Sequence, residues 1–155
     1  MPNRQRLEPG VKIIVDADAC PVKEIIEDLA QQNKIRVIMV CNYNHQINSS
    51  YAEKVIVGQE SQAADITITN MTEPGDIIVT QDYGLASLVL GKGAAAINPS
   101  GKIYTDSNID ILLMQRYLNT KARQAGGKHG NPKKRTRKDN NHFAQSFQLL
   151  LDKNE

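Results

Sequence analysis

The chain has 155 residues, enough for one domain with a real core, and its 40% hydrophobic and 23% charged residues are typical of a soluble globular protein. No apolar stretch approaches the length that spans a membrane, and residues 1–10 lack the apolar segment of a secretory signal, so we expect a cytoplasmic protein that does not engage a membrane. Cys20 and Cys41 are the only cysteines, and we expect both to be free thiols because nothing indicates an oxidising compartment. Two cysteines do not make a zinc site.

The net charge of +2 conceals a segregation of charge along the chain. Residues 11–115 carry 7 Lys and Arg against 13 Asp and Glu, a balance of −6, whereas residues 116–139 carry 9 against 1, a balance of +8. Such segregation favours an anionic partner that meets the basic part, with a cation offsetting charge in the acidic part.

Residues 1–10 are predicted to form a loose extension, followed by one domain from residue 11 to residue 155. The domain is predicted to begin with a buried strand at Val11–Val15, a helix at Val22–Gln32 and a second buried strand at Ile35–Cys41. A short strand is predicted at Val55–Val57. The later elements are a helical turn at Ser61–Ala64, strands at Ile66–Thr69, Asp76–Thr80 and Ala94–Ile97, and helices at Tyr83–Leu90, Ser107–Leu118 and Phe143–Leu151.

Short apolar strands that alternate with helices predict an α/β fold, a three-layer sandwich with a mostly parallel central sheet. In open sheets of this kind the functional site lies at the carboxyl ends of the strands. Asp16 and Asp82 fall at or just past such ends, whereas Asp65 precedes its predicted strand.

The three aspartates lie in the apolar runs IIVDAD (Ile13–Asp18), AADITIT (Ala63–Thr69) and DIIVTQD (Asp76–Asp82). Carboxylates that converge repel each other unless they are protonated or bound to a cation. Oxygen ligands of this kind suit Mg²⁺ or Mn²⁺. The pattern therefore predicts a metal-assisted enzyme that acts on phosphates.

Each of these carboxylates also has a structural interpretation. Asp18 could cap the helix that begins near Pro21, and Asp82 could cap the helix at Tyr83–Leu90, because Asp is a common N-cap. Asp65 could serve a turn or a cap in the same way. Cys20 is interpreted as a small buried side chain rather than a nucleophile, since no histidine is near it in sequence.

Four segments resemble the YaiI/YqxD family of uncharacterised bacterial proteins: DADACP (Asp16–Pro21), GDIIVTQDYGLASLVLGKGA (Gly75–Ala94), INPSGKIYT (Ile97–Thr105) and GNPKKRT (Gly130–Thr136). The resemblance runs from about Val11 to the C-terminus. This family is similar in fold to PIN-like domains, which include NYN-type nucleases that hold Mg²⁺ or Mn²⁺ with acidic residues and cut RNA.

The resemblance implies a catalytic and metal site of Asp16, Asp65 and Asp82, with Asp18 as a further metal ligand. Gln62 stands where many relatives carry a carboxylate, and Asn131 separates Gly130 from Pro132 where relatives read Gly-Pro. Gln62 could still ligate a cation through its oxygen, but more weakly.

The segment at about 121–140 is predicted to be basic and flexible. Flexible Lys and Arg residues bind phosphate backbones without reading bases, although a solvated tail is the alternative. The candidate nucleic-acid contacts are Lys128, Lys133, Lys134, Arg135 and Arg137.

The leading hypothesis is a divalent-metal-dependent phosphodiesterase with RNA, or another phosphate-bearing molecule, as its ligand. One alternative is a non-catalytic module that binds nucleic acid or nucleotides, which Gln62 favours. The other alternative is a phosphatase acting on a small metabolite.

Overall fold

The computed structural model describes residues 10–18, 20–42, 51–60, 62–126 and 134–153. Within these ranges the chain forms six strands and five helices, in the order β1 (Lys12–Asp16), α1 (Lys23–Gln32), β2 (Arg36–Asn42), β3 (Glu53–Val57), α2 (Ala63–Met71), β4 (Ile77–Val79), α3 (Tyr83–Gly91), β5 (Ala95–Ile97), β6 (Ile103–Tyr104), α4 (Asp106–Gln124) and α5 (Arg137–Lys153).

The described strands form one sheet in the order β3-β2-β1-β4-β5-β6. The pairs from β3 to β5 are all parallel, and β6 alone runs antiparallel, against β5. The chain thus builds one side of the sheet from β1 outward through β3, then returns to place β4 on the other side of β1. The predicted α/β class with a mostly parallel central sheet is confirmed.

The sheet is buried on both faces because its central strands are apolar throughout, as parallel strands covered by helices require. In β1, Ile13 and Val15 face the layer that contains α1 and α5, where Phe143 and Phe147 stack with ring centroids 5.1 Å apart. Ile14 faces the opposite layer, which contains α2, α3 and α4. Strand alternation places Asp16 on this second face.

A buried ion pair closes the amino edge of the central strands. Lys12 Nζ lies 2.7 Å from Asp76 Oδ2, and Lys12 also donates its backbone N–H to Asp76 Oδ1 at 3.1 Å. Asp76 is 1% exposed and also accepts the backbone N–H of Glu73 at 2.9 Å. The first aspartate of the DIIVTQD run therefore joins β1 to the turn before β4.

The predicted strand at Ile66–Thr69 is wrong, because these residues lie inside helix α2. Alternating Ile and Thr favour a strand by propensity. In the helix, Ile68 is fully buried against the sheet, and the Thr69 hydroxyl donates to the Asp65 carbonyl oxygen at 2.8 Å. Packing of Ile68 therefore outweighs the β propensity of the segment.

The C-terminal helices are longer than predicted. Helix α4 continues past Leu118 to Gln124, and α5 begins at Arg137 rather than at Phe143. The two ends of the segment at about 121–140 are thus helical, while residues 127–133 lie outside the described part of the chain. In the described ranges no helix combines the length and apolarity needed to cross a membrane.

Candidate functional site

The candidate site lies where the direction of strand addition reverses, between β1 and β4. The chain leaves β1 toward α1 on one layer and leaves β4 toward α3 on the other. A crevice opens at such a switch point, outside the carboxyl ends of the strands. A cavity of about 420 Å³ occupies this position and is lined by residues that include Asp16, Asp18, Thr80, Asp82 and Arg116.

Asp16 ends β1 and is held by a side chain from the neighbouring strand. Its Oδ2 atom accepts a hydrogen bond of 2.9 Å from Thr80 Oγ1. Burial raises the pKa of the Asp16 carboxyl, the Thr80 hydrogen bond opposes this rise, and the charges of Asp18 and Asp82 add to it. Asp16 is therefore a partly desolvated carboxylate beside others of the same sign.

Asp82 is the N-cap of α3, as its structural interpretation predicted. Its Oδ1 atom accepts the backbone N–H groups of Gly84 at 2.8 Å and Leu85 at 3.2 Å. The same oxygen lies 3.7 Å from Nη1 of Arg116, and the side chain lines the cavity. Capping thus fixes the carboxylate at the mouth of the crevice, so the structural and functional interpretations are compatible.

Asp65 lies in the first turn of α2, at the same edge of the sheet as Asp16 and Asp82. Helix α2 follows a parallel strand, so its N-terminus lies at the carboxyl edge. Burial first, and then the charge of Asp82, a hydrogen bond shared with Asp82, and the charge of Asp16, raise the pKa of the Asp65 carboxyl to about 6. The three predicted aspartates therefore interact at one place.

The helical conformation of α2 explains how Asp65 reaches the other two aspartates. Had Ile66–Thr69 been a strand parallel to β1, Asp65 would precede it at the amino edge, on the opposite side from Asp16 and Asp82. The helix instead brings the Asp65 carboxylate to the carboxyl edge.

Asp18 does not cap α1. The N-cap of that helix is Val22, which makes no side-chain capping hydrogen bond. Asp18 Oδ2 instead accepts the backbone N–H of Asn42 at 3.3 Å, which ties the loop after β1 to the end of β2. The predicted capping alternative for Asp18 is wrong, and its side chain lines the 420 Å³ cavity.

Cys20 also lines the cavity but is only 6% exposed. Burial raises the pKa of its thiol, which keeps the sulfur protonated. This environment agrees with the interpretation of Cys20 as a buried packing residue, and Cys41 is a buried free thiol as well.

A second cavity of about 480 Å³ adjoins the first between α2 and α3. Asp82 and Arg116 line both cavities and form the wall between them. The second cavity also contains Asp65, Gln62 and the exposed side chain of Leu88. Gln62, which was expected to assist as a weaker ligand, therefore lies beside the acidic group.

Arg116 is the residue that sequence reasoning missed. It sits on α4, far along the chain from the aspartates, and its side chain is 58% exposed beside Asp82. In the sequence it was one of nine basic residues in the segment 116–139, and only the packing of α3 against α4 distinguishes it.

The structure describes three of the five basic candidates. Lys128 and Lys133 lie outside the described residues, and Lys134 and Arg137 are exposed. Arg135 is anchored, since Nε donates to Asn140 Oδ1 at 2.6 Å and Nη2 donates to the Pro99 carbonyl oxygen at 2.5 Å. It lines a small cavity of about 150 Å³, which shares the lining residues Gln81, Tyr83 and Pro99 with the acidic cavity. The chain thus brings one predicted basic contact next to the acidic site.

The described ranges contain no group of three or more His, Cys, Asp or Glu side chains already arranged to hold a metal ion. Asp16 and Asp82 line one cavity, Asp65 and Asp82 line the next, and the three carboxylates affect one another through their charges.

The fold and the site together define the class of protein: an α/β protein with a mostly parallel sheet and an acidic crevice at its switch point. The chain belongs to the YaiI/YqxD family, described as uncharacterised, whose family model matches residues 14–153. It is similar to UPF0178 proteins of Clostridium kluyveri (48% identity over 143 residues, covering 92% of this chain and 94% of the relative) and Clostridium novyi (49% identity over 143 residues, covering 92% and 96%). No solved structure matches the chain.

Proposed function

We propose that this YaiI/YqxD family member is a divalent-metal-dependent phosphodiesterase that acts on RNA and resembles PIN-like nucleases. The observation that carries the proposal is the proximity of Asp16, Asp65 and Asp82 at the carboxyl edge, where burial first, and then the charges of Asp82 and Asp16, raise the pKa of Asp65 to about 6. Carboxylates that are brought together despite their burial and mutual repulsion are common in functional sites, because a bound cation can offset the repulsion.

The donor set fits Mg²⁺ or Mn²⁺. All the candidate groups are oxygen donors, and Mg²⁺ binds commonly through only one or two carboxylates together with waters and substrate phosphates. Asp65 and Asp82 line the same cavity, and the charge of Asp82 adds to the burial that raises the pKa of Asp65, an unfavourable situation that a bound cation would relieve. These two residues and Asp16 would hold the ion, with Asp18 or the Gln62 oxygen assisting.

When bound, such a cation supplies Lewis acidity, which makes water a better nucleophile near neutral pH and offsets negative charge at phosphorus. The chain's own residues orient the reactants. Thr80 fixes Asp16, and the first turn of α3 fixes Asp82. Both carboxylates are thus held in position by regular secondary structure, which favours a preorganised site.

Arg116 and Arg135 would supply positive charge to a phosphodiester from cavities that adjoin the acidic group. Arg116 lies at the wall between the two large cavities, and its guanidinium can form a fork to phosphate oxygens. Arg135 lies at the adjoining small cavity. A strand of RNA passing Asp82 would meet both side chains, with Lys134 and Arg137 as further exposed contacts.

The test is cleavage of a labelled single-stranded RNA in Mn²⁺ by Asp16→Asn and Asp82→Asn, with Asp28→Asn on the exposed surface of α1 as the matched control. We expect both site variants to lose the activity and Asp28→Asn to retain it. Wild-type activity in both site variants would refute the mechanism.

The second candidate is a non-catalytic module that binds RNA or nucleotides. The absence of a ready-made three-ligand metal group in the described residues favours it, as does the amide at Gln62. Binding of RNA that persists in EDTA, with no cleavage in Mg²⁺ or Mn²⁺, would select this candidate over the enzyme.

A further inference from the structure

Helix α4 has apolar residues on two opposite faces. Ile109 and Leu112 are buried against α3 and the sheet. On the other face Ile111, Met114 and Leu118 follow the spacing of three and four residues that places side chains in one row. We call these three residues, together with the adjoining Tyr117, the α4 stripe.

The α4 stripe is strongly exposed. The exposed fractions are 60% for Ile111, 57% for Met114, 56% for Tyr117 and 55% for Leu118. In the described part of the chain, these are four of the eight large apolar side chains that are strongly exposed. Apolar groups concentrated in this way on one helix mark an interaction surface rather than scattered surface residues.

The charges around the stripe indicate what covers it. Asp110 lies four residues before Met114, and Lys121 lies four residues after Tyr117, with its Nζ 5.7 Å from the centre of the Tyr117 ring. Asp110 and Lys121 are therefore equally far from a midpoint between residues 115 and 116, and so are Met114 and Tyr117. A helix with this pattern is complementary to a second copy of itself that runs in the opposite direction.

We propose that two copies of the chain dimerise through antiparallel packing of α4 about a two-fold axis at that midpoint. Met114 of one copy then faces Tyr117 of the other, and Asp110 of one copy faces Lys121 of the other. The two-fold axis repeats each of these contacts, so each occurs twice in the dimer. A parallel arrangement would instead place Asp110 against Asp110, which is unfavourable. The 19-residue helix is about 28 Å long, and an isologous contact along it is closed by its own symmetry.

The dimer leaves the candidate site open. Arg116 is seven residues after Ile109, so it lies on the inward side of α4, away from the stripe, where it lines both large cavities. The dimer is therefore independent of the proposed catalytic activity, and neither inference depends on the other.

The first test is sedimentation equilibrium of the full chain. We expect the wild type to sediment as a dimer and Met114→Glu as a monomer, with the same circular dichroism spectrum, which would show that the variant keeps its fold. The matched control is Leu149→Glu on α5, where the side chain is equally exposed at 57%, and this variant should stay dimeric. A monomeric wild type at 100 µM, on the order of a weak interface's dissociation constant, would overturn the proposal.

The second test fixes the partner and its orientation. Asp110→Lys and Lys121→Asp should each raise the dimer dissociation constant by about tenfold or more, because each creates two like-charge contacts. The double variant should restore it to near the wild-type value. Failure of the double variant to recover would overturn the antiparallel arrangement, and dimers that Met114→Glu does not disrupt would show that another surface is used.

Discussion

The hydroxyl of Thr80 donates a hydrogen bond of 2.9 Å to the carboxylate of Asp16 and so joins the ends of β4 and β1. The Thr80 hydroxyl oxygen also accepts a hydrogen bond of 3.0 Å from the backbone N–H of Asp82. Thr80 is 2% exposed, so both bonds are shielded from water. One hydroxyl therefore positions two of the three acidic residues, which requires a group that both donates and accepts.

Replacement of Thr80 by Val removes both bonds with little change of shape. We expect the free energy of unfolding to fall by about 1–3 kcal/mol, because a buried N–H and a partly buried carboxylate lose their partner. The pKa of Asp16 should rise further, since the hydrogen bond that lowers it is gone. Urea unfolding measures the first effect, and Thr80→Ser, which keeps the hydroxyl, is the control. Equal stability of the Val and Ser variants would contradict this account.

The Asp65 carboxyl should make the metal-free protein less stable as the pH rises. Its pKa is about 6 in the folded chain against an ordinary value of 3.8, so the folded state binds more protons between these values. This contribution to stability is fully present below about pH 4 and is lost as the pH rises through about 6. Because the Asp65 carboxyl is partly exposed, we expect the free energy of unfolding to fall by only about 1 kcal/mol over this pH range.

The comparison of wild type with Asp65→Asn isolates this effect from the other carboxylates. In EDTA the variant should be the more stable protein at pH 7 and should lose that advantage near pH 4, as measured by urea unfolding. Added Mg²⁺ should stabilise the wild type at pH 7 in a saturable way, with a smaller effect on the variant. A stability difference that does not change with pH would show that Asp65 titrates normally.

Arg116→Ala should weaken RNA binding by about tenfold without altering stability, because its exposed side chain supplies a charge-assisted contact to phosphate. Arg116→Lys should be intermediate, since it keeps the charge but loses the planar fork. Fluorescence anisotropy with a labelled RNA at fixed salt measures the affinity. The control is Arg123→Ala, further along α4 and away from the cavity lining, and an equal loss in that variant would indicate non-specific attraction.

The Lys12–Asp76 pair should be structural. Asp76→Asn removes the buried carboxylate and leaves the Lys12 ammonium only the exposed carboxylate of Glu73, 3.1 Å away, so we expect a destabilisation of about 3 kcal/mol. Because the pair lies at the amino edge, any folded fraction should keep wild-type metal and RNA affinity. Thermal unfolding together with RNA binding below the transition checks both statements. Reduced affinity in the folded protein would place Asp76 in the site.

The sheet was predictable because its central strands are continuous apolar runs, such as those of β1 and β2, that only burial on both faces explains. Helix α2 was not predictable, because its Ile and Thr residues favour a strand locally. Only the packing of Ile68 against the sheet makes the segment helical. The two-residue strand β6 is too short to produce a pattern, and the exposed polar end of α4 beyond Leu118 has no apolar periodicity.

The acidic residues of the candidate site were predictable from the sequence. Asp16 and Asp82 follow strands directly, so the sheet alone brings them to one edge. Asp65 was identified for a partly wrong reason, since it reaches that edge through the helix rather than as the residue before a strand. Arg116 depends on the packing of α3 against α4, a long-range contact that leaves no signature around residue 116.

The most direct test of the central claim is anomalous diffraction from crystals soaked in Mn²⁺ at pH 7, where the Asp65 carboxyl is mostly ionised. We expect a Mn²⁺ peak in the crevice between β1 and β4, within coordination distance of Asp82 and of Asp16 or Asp65. Crystals of Asp82→Asn should lack the peak. Carboxylates that stay too far apart to share an ion, with no peak in the crevice, would contradict the account.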